Sequence, residues 1–394
     1  MAIASLDDLL ANDGVRGRRV FLRADLNVPL DGERVTDDTR IRASLPTLRR
    51  LLAGGARVVL ASHLGRPKGE RNPALSLAPV ARRLGELLGR PVAFADDCVG
   101  ASARDAATAL RDGEVVLLEN LRFHAAETKG DEAFARELAS LAQDYVNDAF
   151  GAAHRAHAST ATIARFAERA AAGDLLKSEL DHLRVVREPK RPLLCLLGGA
   201  KVSDKLAVLE ALAPHADALA IGGAMAYTFL AARGEPVGRS LVEHDRLDDA
   251  RGVERAAAAA GCDLLLPSDH VVVEALAPDA PSQVVARIPD GWMGVDIGPA
   301  TAERYAAAAR SAATIFWNGP MGVFEMDAFA KGTEAVAEAV ASSSAVSVVG
   351  GGDSLAAVNK LGVGSRITHL STGGGAALEY VQGLELPGVA ALDR

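Results

Sequence analysis

The stretch that decides the fold is Arg23-Ala24-Asp25-Leu26-Asn27-Val28-Pro29, which directly follows the apolar run Val20-Phe21-Leu22. Such an apolar run is typical of a buried β-strand. Arg23, Asp25 and Asn27 are spaced two apart, which places them on one face of a continuing strand. A guanidinium, a carboxylate and an amide converging at a strand end can hold a small molecule with anionic and hydroxyl groups. The alternative is a β-turn at Asn27 and Pro29 with ordinary surface charges.

The first half of the chain repeats this pattern of an apolar run followed by basic or polar groups. The runs at 58–60, 115–118 and 145–146 precede the polar segments 62–67, 119–124 and 147–157. Stretches with helical spacing, Leu45 to Leu52 and Ala78 to Leu88, lie between them. The alternation predicts a parallel α/β sheet. Arg40 is predicted to lie in a further polar loop.

Five arginines follow these runs or lie in nearby loops: Arg23, Arg40, Arg66, Arg122 and Arg155. Ligands of such sheets bind beyond the carboxyl ends of the strands, where loops from different strands meet. We therefore expect one basic cluster, and the planar guanidinium suits phosphate and carboxylate. Each arginine taken singly is more often a solvated surface charge.

In the second half, glycine replaces arginine after the apolar runs. Glycine pairs or triplets stand at 198–199, 222–223, 350–352 and 373–375, each before a predicted helix. Glycine lets backbone N–H groups at a helix start approach an anion, which predicts phosphate binding. Packing alone also produces such turns, although four in series favour the ligand. Neither GxxxxGK[ST] nor GxGxxG spacing is present.

Charged residues near these glycines have predicted roles. Lys201 and Lys205 are four apart, so we expect both on one face of a helix that begins near Val202, within reach of a polyphosphate. Asp353 follows three glycines and is placed to bind a phosphate-bound magnesium ion. It could equally be a helix N-cap, and the two roles do not exclude each other.

Composition limits the class of protein. With 394 residues and 49% hydrophobic content, the chain can form two or three domains. A net charge of -8 and 4% aromatic content argue against a nucleic-acid binder. Three separated cysteines without a CxxC pair predict core residues in a reducing compartment. Without a signal-like start or a long apolar run, we expect a cytoplasmic protein with no membrane contact.

A boundary between the halves is predicted near Gly173-Asp174. Asp174 is a candidate N-cap, and an apolar stripe from Leu175 to Val186 predicts a helix that ends before Pro189. We expect domains at 1–172 and 190–375, joined by a connecting helix or hinge at 173–189 about which the domains close.

The chain resembles the phosphoglycerate kinase family over essentially its whole length. The motifs that carry the resemblance appear in order: RADLNVP, SHLGRP, ENLRFH, NDAFGAAHRAHAS, GGAKVSDK, WMGVDIGP, FWNGPMGVFE, GGGDS and STGGGA. The resemblance implies two similar-sized, doubly wound, Rossmann-like α/β domains, with residues from about 376 to 394 returning to the first. It implies reversible, magnesium-dependent phosphoryl transfer from 1,3-bisphosphoglycerate to ADP, giving 3-phosphoglycerate and ATP, in a monomer.

The resemblance also assigns residues to sites. The acid-substrate site falls on Arg23, Asp25, Asn27, Arg40, His63, Leu64, Gly65, Arg66, Arg122 and Arg155. The nucleotide site falls on Lys201, Lys205, Gly294, Glu325, Gly351, Gly352, Asp353 and Ser354, with Asp353 also binding the metal. Catalytic roles fall on Arg40, Lys201, Gly373 and Gly374. Ala152 and Ala377 stand where the family often has Thr and Ser, which affects at most one hydrogen bond each, worth about 1 kcal/mol.

Two other classes compete with a kinase. A nicotinamide-dependent dehydrogenase shares the α/β alternation but is disfavoured by the missing GxGxxG motif. A catalytically silent binding protein could keep the same scaffold. The presence of Arg40, Lys201 and Asp353 argues against it.

Overall fold

The computed structural model describes residues 3–11 and 14–393. Within these residues the chain forms two compact units. The N unit comprises 1–180 with 385–394, and the C unit comprises 181–384. The predicted domain boundaries stay a prediction.

Seventeen strands and fifteen helices are present in the described part of the chain. The strands are β1 (Arg19–Ala24), β2 (Leu30–Asp31), β3 (Arg34–Val35), β4 (Arg57–Ala61), β5 (Ala93–Ala95), β6 (Val115–Leu118), β7 (Asp144–Asp148), β8 (Arg169–Ala172), β9 (Leu193–Leu197), β10 (Ala218–Ile221), β11 (Asp263–Leu265), β12 (His270–Val273), β13 (Ser282–Val285), β14 (Met293–Ile297), β15 (Thr314–Asn318), β16 (Val346–Gly350) and β17 (His369–Ser371). The helices are α1 (Leu6–Ala11), α2 (Thr39–Ala53), α3 (Ala78–Leu88), α4 (Gly100–Ala109), α5 (Ala125–Thr128), α6 (Glu132–Ala139), α7 (Asp174–Arg187), α8 (Leu206–Leu212), α9 (Met225–Ala232), α10 (Leu247–Ala260), α11 (Pro299–Ser311), α12 (Lys331–Ser342), α13 (Gly352–Lys360), α14 (Gly375–Val381) and α15 (Pro387–Ala390).

The N unit is built on a six-stranded sheet in the order β5-β6-β4-β1-β7-β8, in which every pairing is parallel. Strand β1 is central because Val20, Phe21 and Leu22 are fully buried and no polar side chain interrupts them. The chain first builds the sheet on one side of β1 and then returns to add β7 on the other. This reversal makes the β1/β7 border the switch point at which ligands bind in such sheets.

The C unit is built on a second parallel sheet, in the order β11-β10-β9-β15-β16-β17. Its switch point lies between β9 and β15, where Leu197 is in register with Asn318. The apolar core includes the fully buried rings of Tyr305 and Trp317. These two sheets confirm the predicted α/β fold class. A small antiparallel sheet, β13-β12-β14, was not predicted.

Three local predictions at the site segments are wrong. Strand β1 ends at Ala24, so Asp25 and Asn27 lie in the following loop instead of on a strand face. Arg40 lies in the first turn of α2, not in a loop, because Asp37 accepts the Thr39 N–H (2.8 Å) as the helix starts. Residues 201–205 form turns, and α8 begins only at Leu206.

The predicted helix after Gly173 is present as α7, and it ends before Pro189 as expected. Asp174 is its first residue and not its N-cap. The buried carboxylate of Asp148, at the end of β7, accepts hydrogen bonds from Leu175 N (2.9 Å) and Leu176 N (3.1 Å) instead. A residue distant in sequence therefore satisfies the helix start, which a local capping pattern does not reveal.

The end of the chain packs on the N unit. Gly388 N donates to Ala153 O (2.8 Å), and Asn147 Nδ2 donates to Gly388 O (3.0 Å). Leu386 and Leu392 are buried. Helix α14, in contrast, falls within the C unit. Across the described residues, the structure contains no helix with the length and apolarity that a membrane crossing needs.

Candidate active site

Arg23 is the buried foundation of the N-unit site. It is the fifth residue of β1 and is 0% exposed. Its Nε donates to Ser159 Oγ (2.8 Å), and Ser159 Oγ donates to the buried Glu127 carboxylate (2.6 Å). A second guanidinium nitrogen lies 3.1 Å from His63 Nδ1. The guanidinium is therefore held in place, and the Ser159 hydroxyl links it to the Glu127 carboxylate.

Asp25, Asn27 and Arg40 form the edge of the same site. Arg40 Nη1 contacts both Asp25 carboxylate oxygens (3.3 Å) and Asn27 O (3.2 Å). Asn27 Oδ1 accepts the Gly65 N–H at 2.8 Å. The Arg40 side chain remains 36% exposed, so part of its guanidinium can contact a ligand.

His63 is neutral at physiological pH. Burial first, and then the charge of Arg23, hold the pKa of His63 well below its ordinary value. Arg122 and Arg40 act in the same direction. A neutral imidazole adds a hydrogen-bonding group to the cluster without adding a further positive charge.

The positive charge of Arg122 is poorly compensated by its surroundings. Burial, and then Arg23 and Arg155, lower the pKa of Arg122 to about 10. Its Nη1 donates to Gly65 O (2.8 Å), while its buried Nε has no acceptor among the described residues. Arg155 lies close enough to repel it, and Arg155 Nε contacts His154 Nε2 (3.1 Å). An anion placed here would relieve both the repulsion and the missing hydrogen bond.

The loops of this site are held together by Asn120, which sequence reasoning did not single out. Asn120 Oδ1 accepts the N–H groups of Leu64 (3.2 Å) and Arg122 (3.1 Å), and Asn120 Nδ2 donates to Leu64 O (2.7 Å). It thereby ties the segment after β4 to the segment after β6. The position of Asn120 in the ENLRFH motif could have identified it as a site residue. No sequence pattern pointed to Glu127.

Arg66 is the exposed member of the predicted arginine cluster. Its exposed side chain makes no hydrogen bond or ion pair within residues 3–11 and 14–393. Contacts or charge interactions link Arg23, Arg40, Arg122 and Arg155 with Asp25, Asn27 and His63. The place of Arg66 in the site stays a prediction. The site contains four guanidinium groups together with the carboxylates of Asp25 and Glu127. Its positive charge is therefore not neutralised, and the site is suited to an anion.

The C unit has a cavity of about 270 Å³ beyond the carboxyl ends of its strands. It is lined by Gly199, Ala200, Gly223, Ala224, Tyr227, Gly294, Val295, Asp296, Pro320, Met321, Gly322, Val323, Glu325 and Asp353. The predicted residues Gly294, Glu325 and Asp353 thus meet in one place. Tyr227 and Asp296 were not predicted as site residues, although Asp296 belongs to the WMGVDIGP motif.

Glycines at this cavity are required by close packing. A Cβ on Gly198 would lie 1.9 Å from Pro320 O, and a Cβ on Gly319, whose φ is +101°, would lie 2.1 Å from Gly198 O. Gly198 N donates to Asn318 O (3.0 Å), and Trp317 Nε1 donates to Gly319 O (2.7 Å). The loops after β9 and β15 therefore touch backbone to backbone, which forms one wall of the cavity.

Lys201 and Lys205 lie on the turns that follow β9. Burial lowers the pKa of Lys205 to about 8, while the nearby charges of Asp353 and Asp204 act in the opposite direction. Lys201 is exposed. The turn is fixed by Glu243, whose carboxylate accepts from Ser203 N (3.0 Å) and Ser203 Oγ (2.6 Å). The two lysines therefore do not share a helix face.

The segment 351–354 begins α13. Gly351 occupies the N-cap position with φ +93°, and the exposed Asp353 is in the first turn, where a carboxylate suits the helix dipole. The N-cap alternative for Asp353 is therefore wrong. Ser354 is fully buried, and its Oγ accepts the Gly319 N–H at 2.6 Å. Ser354 positions the loop wall and has no free surface for a ligand.

Gly373 and Gly374 precede helix α14, which begins at Gly375. Gly374 has φ +53°, a conformation that favours glycine, and Gly373 N donates to Ser371 Oγ (3.2 Å). The glycines are thus where a helix start was predicted. Their catalytic role stays a prediction.

Each α/β unit is built on a parallel sheet. One unit has an arginine-lined anion site, and the other has a cavity at glycine-rich loops. This combination is typical of enzymes that transfer phosphoryl groups between small anions. A family model described as phosphoglycerate kinase matches residues 7–384. The chain belongs to the phosphoglycerate kinase family.

Relatives and solved structures agree along the whole chain. The phosphoglycerate kinase of Moorella thermoacetica is 56% identical, with 100% of this chain and 99% of the relative covered. That of Anaeromyxobacter sp. strain K is 55% identical, with 100% of each covered. The structure of phosphoglycerate kinase from Coxiella burnetii superposes with a TM-score of 0.89 at 40% identity, covering 99% of both chains.

Proposed function

We propose that the chain catalyses reversible phosphoryl transfer between 1,3-bisphosphoglycerate and ADP, giving 3-phosphoglycerate and ATP. The observation that carries the proposal is the buried, unneutralised arginine cluster of the N unit, in which Arg122 has a lowered pKa and an unpaired Nε. Such a site binds a small, multiply charged anion that can also accept hydrogen bonds from Asn27 and His63. A phosphoglycerate, with phosphate, carboxylate and hydroxyl groups, has this chemistry.

The cavity of the C unit supports binding of the nucleotide. Gly294 at its floor allows Tyr227 to pack there, because a Cβ on Gly294 would lie 2.0 Å from Tyr227 Oη. Glu325 lines the cavity and is exposed, as a carboxylate that accepts hydrogen bonds from ribose hydroxyls should be. Lys205, Lys201 and the start of α13 supply positive charge for the phosphates.

Asp353 has the chemistry to hold magnesium. It is an exposed carboxylate that lines the cavity, and Mg²⁺ is usually bound by one or two carboxylates together with substrate phosphates. When bound, the ion would neutralise charge on the nucleotide phosphates. Lys205, whose charge Asp353 stabilises, would contact the same phosphates.

The transfer requires no general base. The acceptor carboxylate of 3-phosphoglycerate is already ionised at neutral pH, because carboxyl groups of this kind have a pKa of about 3.5. The protein must instead offset repulsion between two anions and stabilise the moving phosphoryl group. We assign that stabilisation to Arg40 and Lys201, with N–H groups at Gly373 and Gly374. His63 donates a hydrogen bond to the acid substrate.

The two ligands bind to different units, so the transfer needs closure of one unit on the other. We place the hinge in residues 173–189, which include α7, between substrate domains at 1–172 and 190–375. Of the segment predicted to return to the first domain, from about 376 to 394, residues 385–394 belong to the N unit, whereas α14 lies in the C unit. We further propose that the enzyme acts as a cytoplasmic monomer, since each predicted ligand site is formed within one chain.

The test is ADP release from MgATP with and without 3-phosphoglycerate, using hydroxylamine to trap the acyl phosphate and draw the reaction forward. We expect ADP release only with the acceptor, accompanied by acyl hydroxamate in equal amount. Folded protein without acceptor-dependent turnover would refute the kinase activity. Separate titrations of the two ligands would then show whether the chain is a silent binding protein.

A further inference from the structure

A second cluster of chemically reactive side chains lies at the edge of the N-unit sheet, away from the arginine cluster. Asp97 and Cys98 follow strand β5, and His124 follows β6 after one short turn. These strands are parallel neighbours in which Ala95 is in register with Leu118. Their carboxyl ends therefore bring His124 close to Asp97 and Cys98, although His124 is distant from both in sequence.

The three side chains present one soft and two harder ligand atoms. The Asp97 carboxylate, the Cys98 thiol and the His124 imidazole each offer an atom, and these atoms lie within 4.8 Å of one another. His124 Nε2 is 2.7 Å from Asp97 Oδ1, which also accepts the Cys98 N–H at 2.7 Å. Tetrahedral zinc, with bonds of about 2.0–2.3 Å, holds its ligands about 3.3–3.7 Å apart. Small side-chain shifts would reach that spacing.

We propose that Asp97, Cys98 and His124 form a binding site for a thiophilic divalent transition metal such as Zn²⁺. Thiolate and imidazole select such ions over Mg²⁺ and Ca²⁺, which prefer oxygen ligands. The site is distinct from the magnesium site proposed at Asp353, and it does not rest on the proposed function.

Exposure and charge support this assignment. The side chains of Asp97 and His124 are 39% and 32% exposed, so an ion can enter from solvent and keep a water as its fourth ligand. The thiol lies buried beneath them. The negative charges of Asp97 and Glu127 act on the thiol. The same negative charges attract a cation, whose binding releases the thiol proton to solvent.

The experiment uses full-length, tag-free protein, reduced and stripped with a chelator, and titrates it with Co²⁺ as a spectroscopic substitute for Zn²⁺. We expect one equivalent to produce a thiolate-to-cobalt charge-transfer band in the near ultraviolet, together with release of about one proton. Zn²⁺ should displace the cobalt, and a large excess of Mg²⁺ should not.

Three variants locate the ion. Cys98→Ala should abolish the band, whereas Cys262→Ala, which removes another buried thiol, should leave it unchanged. His124→Gln keeps a group able to donate a hydrogen bond to Asp97 but is a poor ligand, and should weaken Co²⁺ binding at least tenfold. It decides the matter even if Cys98→Ala misfolds. No band in the parent protein, or a band that survives in Cys98→Ala or is unaffected by His124→Gln, would overturn the proposal.

Discussion

At the scale of single residues, the protein holds the arginine side chains of the N-unit site in fixed positions before a ligand binds. Arg23 is fully buried, and its contacts with Ser159 and His63 hold its orientation. Arg122 is fixed by Gly65 O and by the Asn120 side chain that caps its turn. Because the protein has already met the cost of assembling these charges, an anion gains attraction without reorganising them.

Arg40→Ala tests the assignment of charge stabilisation. Arg40 is half-exposed and contacts Asp25 weakly, so its removal should lower kcat about a hundredfold or more with a smaller effect on the Km for 3-phosphoglycerate. Steady-state kinetics in both substrates provide the measurement. Arg42→Ala is the matched control, because Arg42 lies on the same helix and pairs with Asp38. A normal kcat with only a raised Km would refute the role.

Asp296→Asn tests a pH effect in the C unit. Burial raises the pKa of Asp296 to about 7, although Gly332 N (2.7 Å) and Ile297 N (2.9 Å) both donate to it. The folded state therefore keeps a proton that the unfolded chain releases above about pH 4. The stability contributed by this group is full below that pH and is lost as the pH rises through 7.

The side-chain amide introduced by Asp296→Asn cannot ionise, but it has one hydrogen-bond acceptor fewer than the carboxyl group. We expect Asp296→Asn to be less stable than the parent at pH 5, and this disadvantage should shrink by roughly 3 kcal/mol by pH 8. Urea unfolding at the two pH values measures the change. Asp290→Asn, at an exposed position of the same unit, should show a constant difference. A constant difference for Asp296→Asn as well would contradict the raised pKa.

At the scale of elements, apolar runs predicted the central strands well, because β1, β6 and β9 are buried on both faces and need continuous apolar sequence. Several of the polar residues that were expected to converge contact one another, among them Arg23 with His63 and Arg40 with Asp25. Two of the predictions that failed depended on partners distant in sequence. The Asp148 carboxylate accepts hydrogen bonds from backbone N–H groups at the start of α7, and the Glu243 carboxylate accepts one from the turn at 201–205. The spacing of residues in the sequence does not reveal either contact.

The antiparallel sheet β13-β12-β14 was missed for a related reason. Strand β13 is mostly exposed, β12 has only four residues, and β14 contains Gly294 and Asp296 among its apolar residues. Such short strands carry little periodic signal. Gly294 and Asp296 of β14 line the cavity of the C unit, so an element that sequence reasoning missed supplies part of the proposed nucleotide site.

Gly198→Ala tests the contact between the loops after β9 and β15. The new Cβ would lie 1.9 Å from Pro320 O, so the two backbones must separate. We expect a loss of roughly 3 kcal/mol or more in the stability of the C unit, and weaker nucleotide binding. Gly252→Ala, within helix α10, meets only Arg255 Nη2 at 3.9 Å and should stabilise the unit by about 0.5–1 kcal/mol. Urea unfolding of both variants would show opposite signs, and equal effects would refute the explanation.

At the scale of the whole molecule, the chain leaves the N unit near residue 180 and comes back to it near residue 385. Truncation after Leu384 tests this return. It removes the hydrogen bonds of Gly388 with Ala153 and Asn147, and it exposes the surface that Leu386 and Leu392 cover.

We expect the truncated chain to become sensitive to protease within residues 3–180, while 181–384 stays protected. Limited proteolysis with mapping of the fragments by mass spectrometry is the measurement. Truncation after Leu392 is the control, since it keeps these contacts. Equal loss of protection in both units would show that the segment stabilises the chain as a whole.

The hydrogen bond from Trp317 Nε1 to Gly319 O has a practical consequence. Both tryptophans of the chain, Trp292 and Trp317, lie in the C unit, and Trp317 is fully buried beside the loop that lines the cavity. Intrinsic fluorescence therefore observes one unit only. A nucleotide that moves this loop should change the emission directly. An acid substrate bound among the arginines can change it only by affecting the C unit, so the same signal reports communication between the two halves of the enzyme.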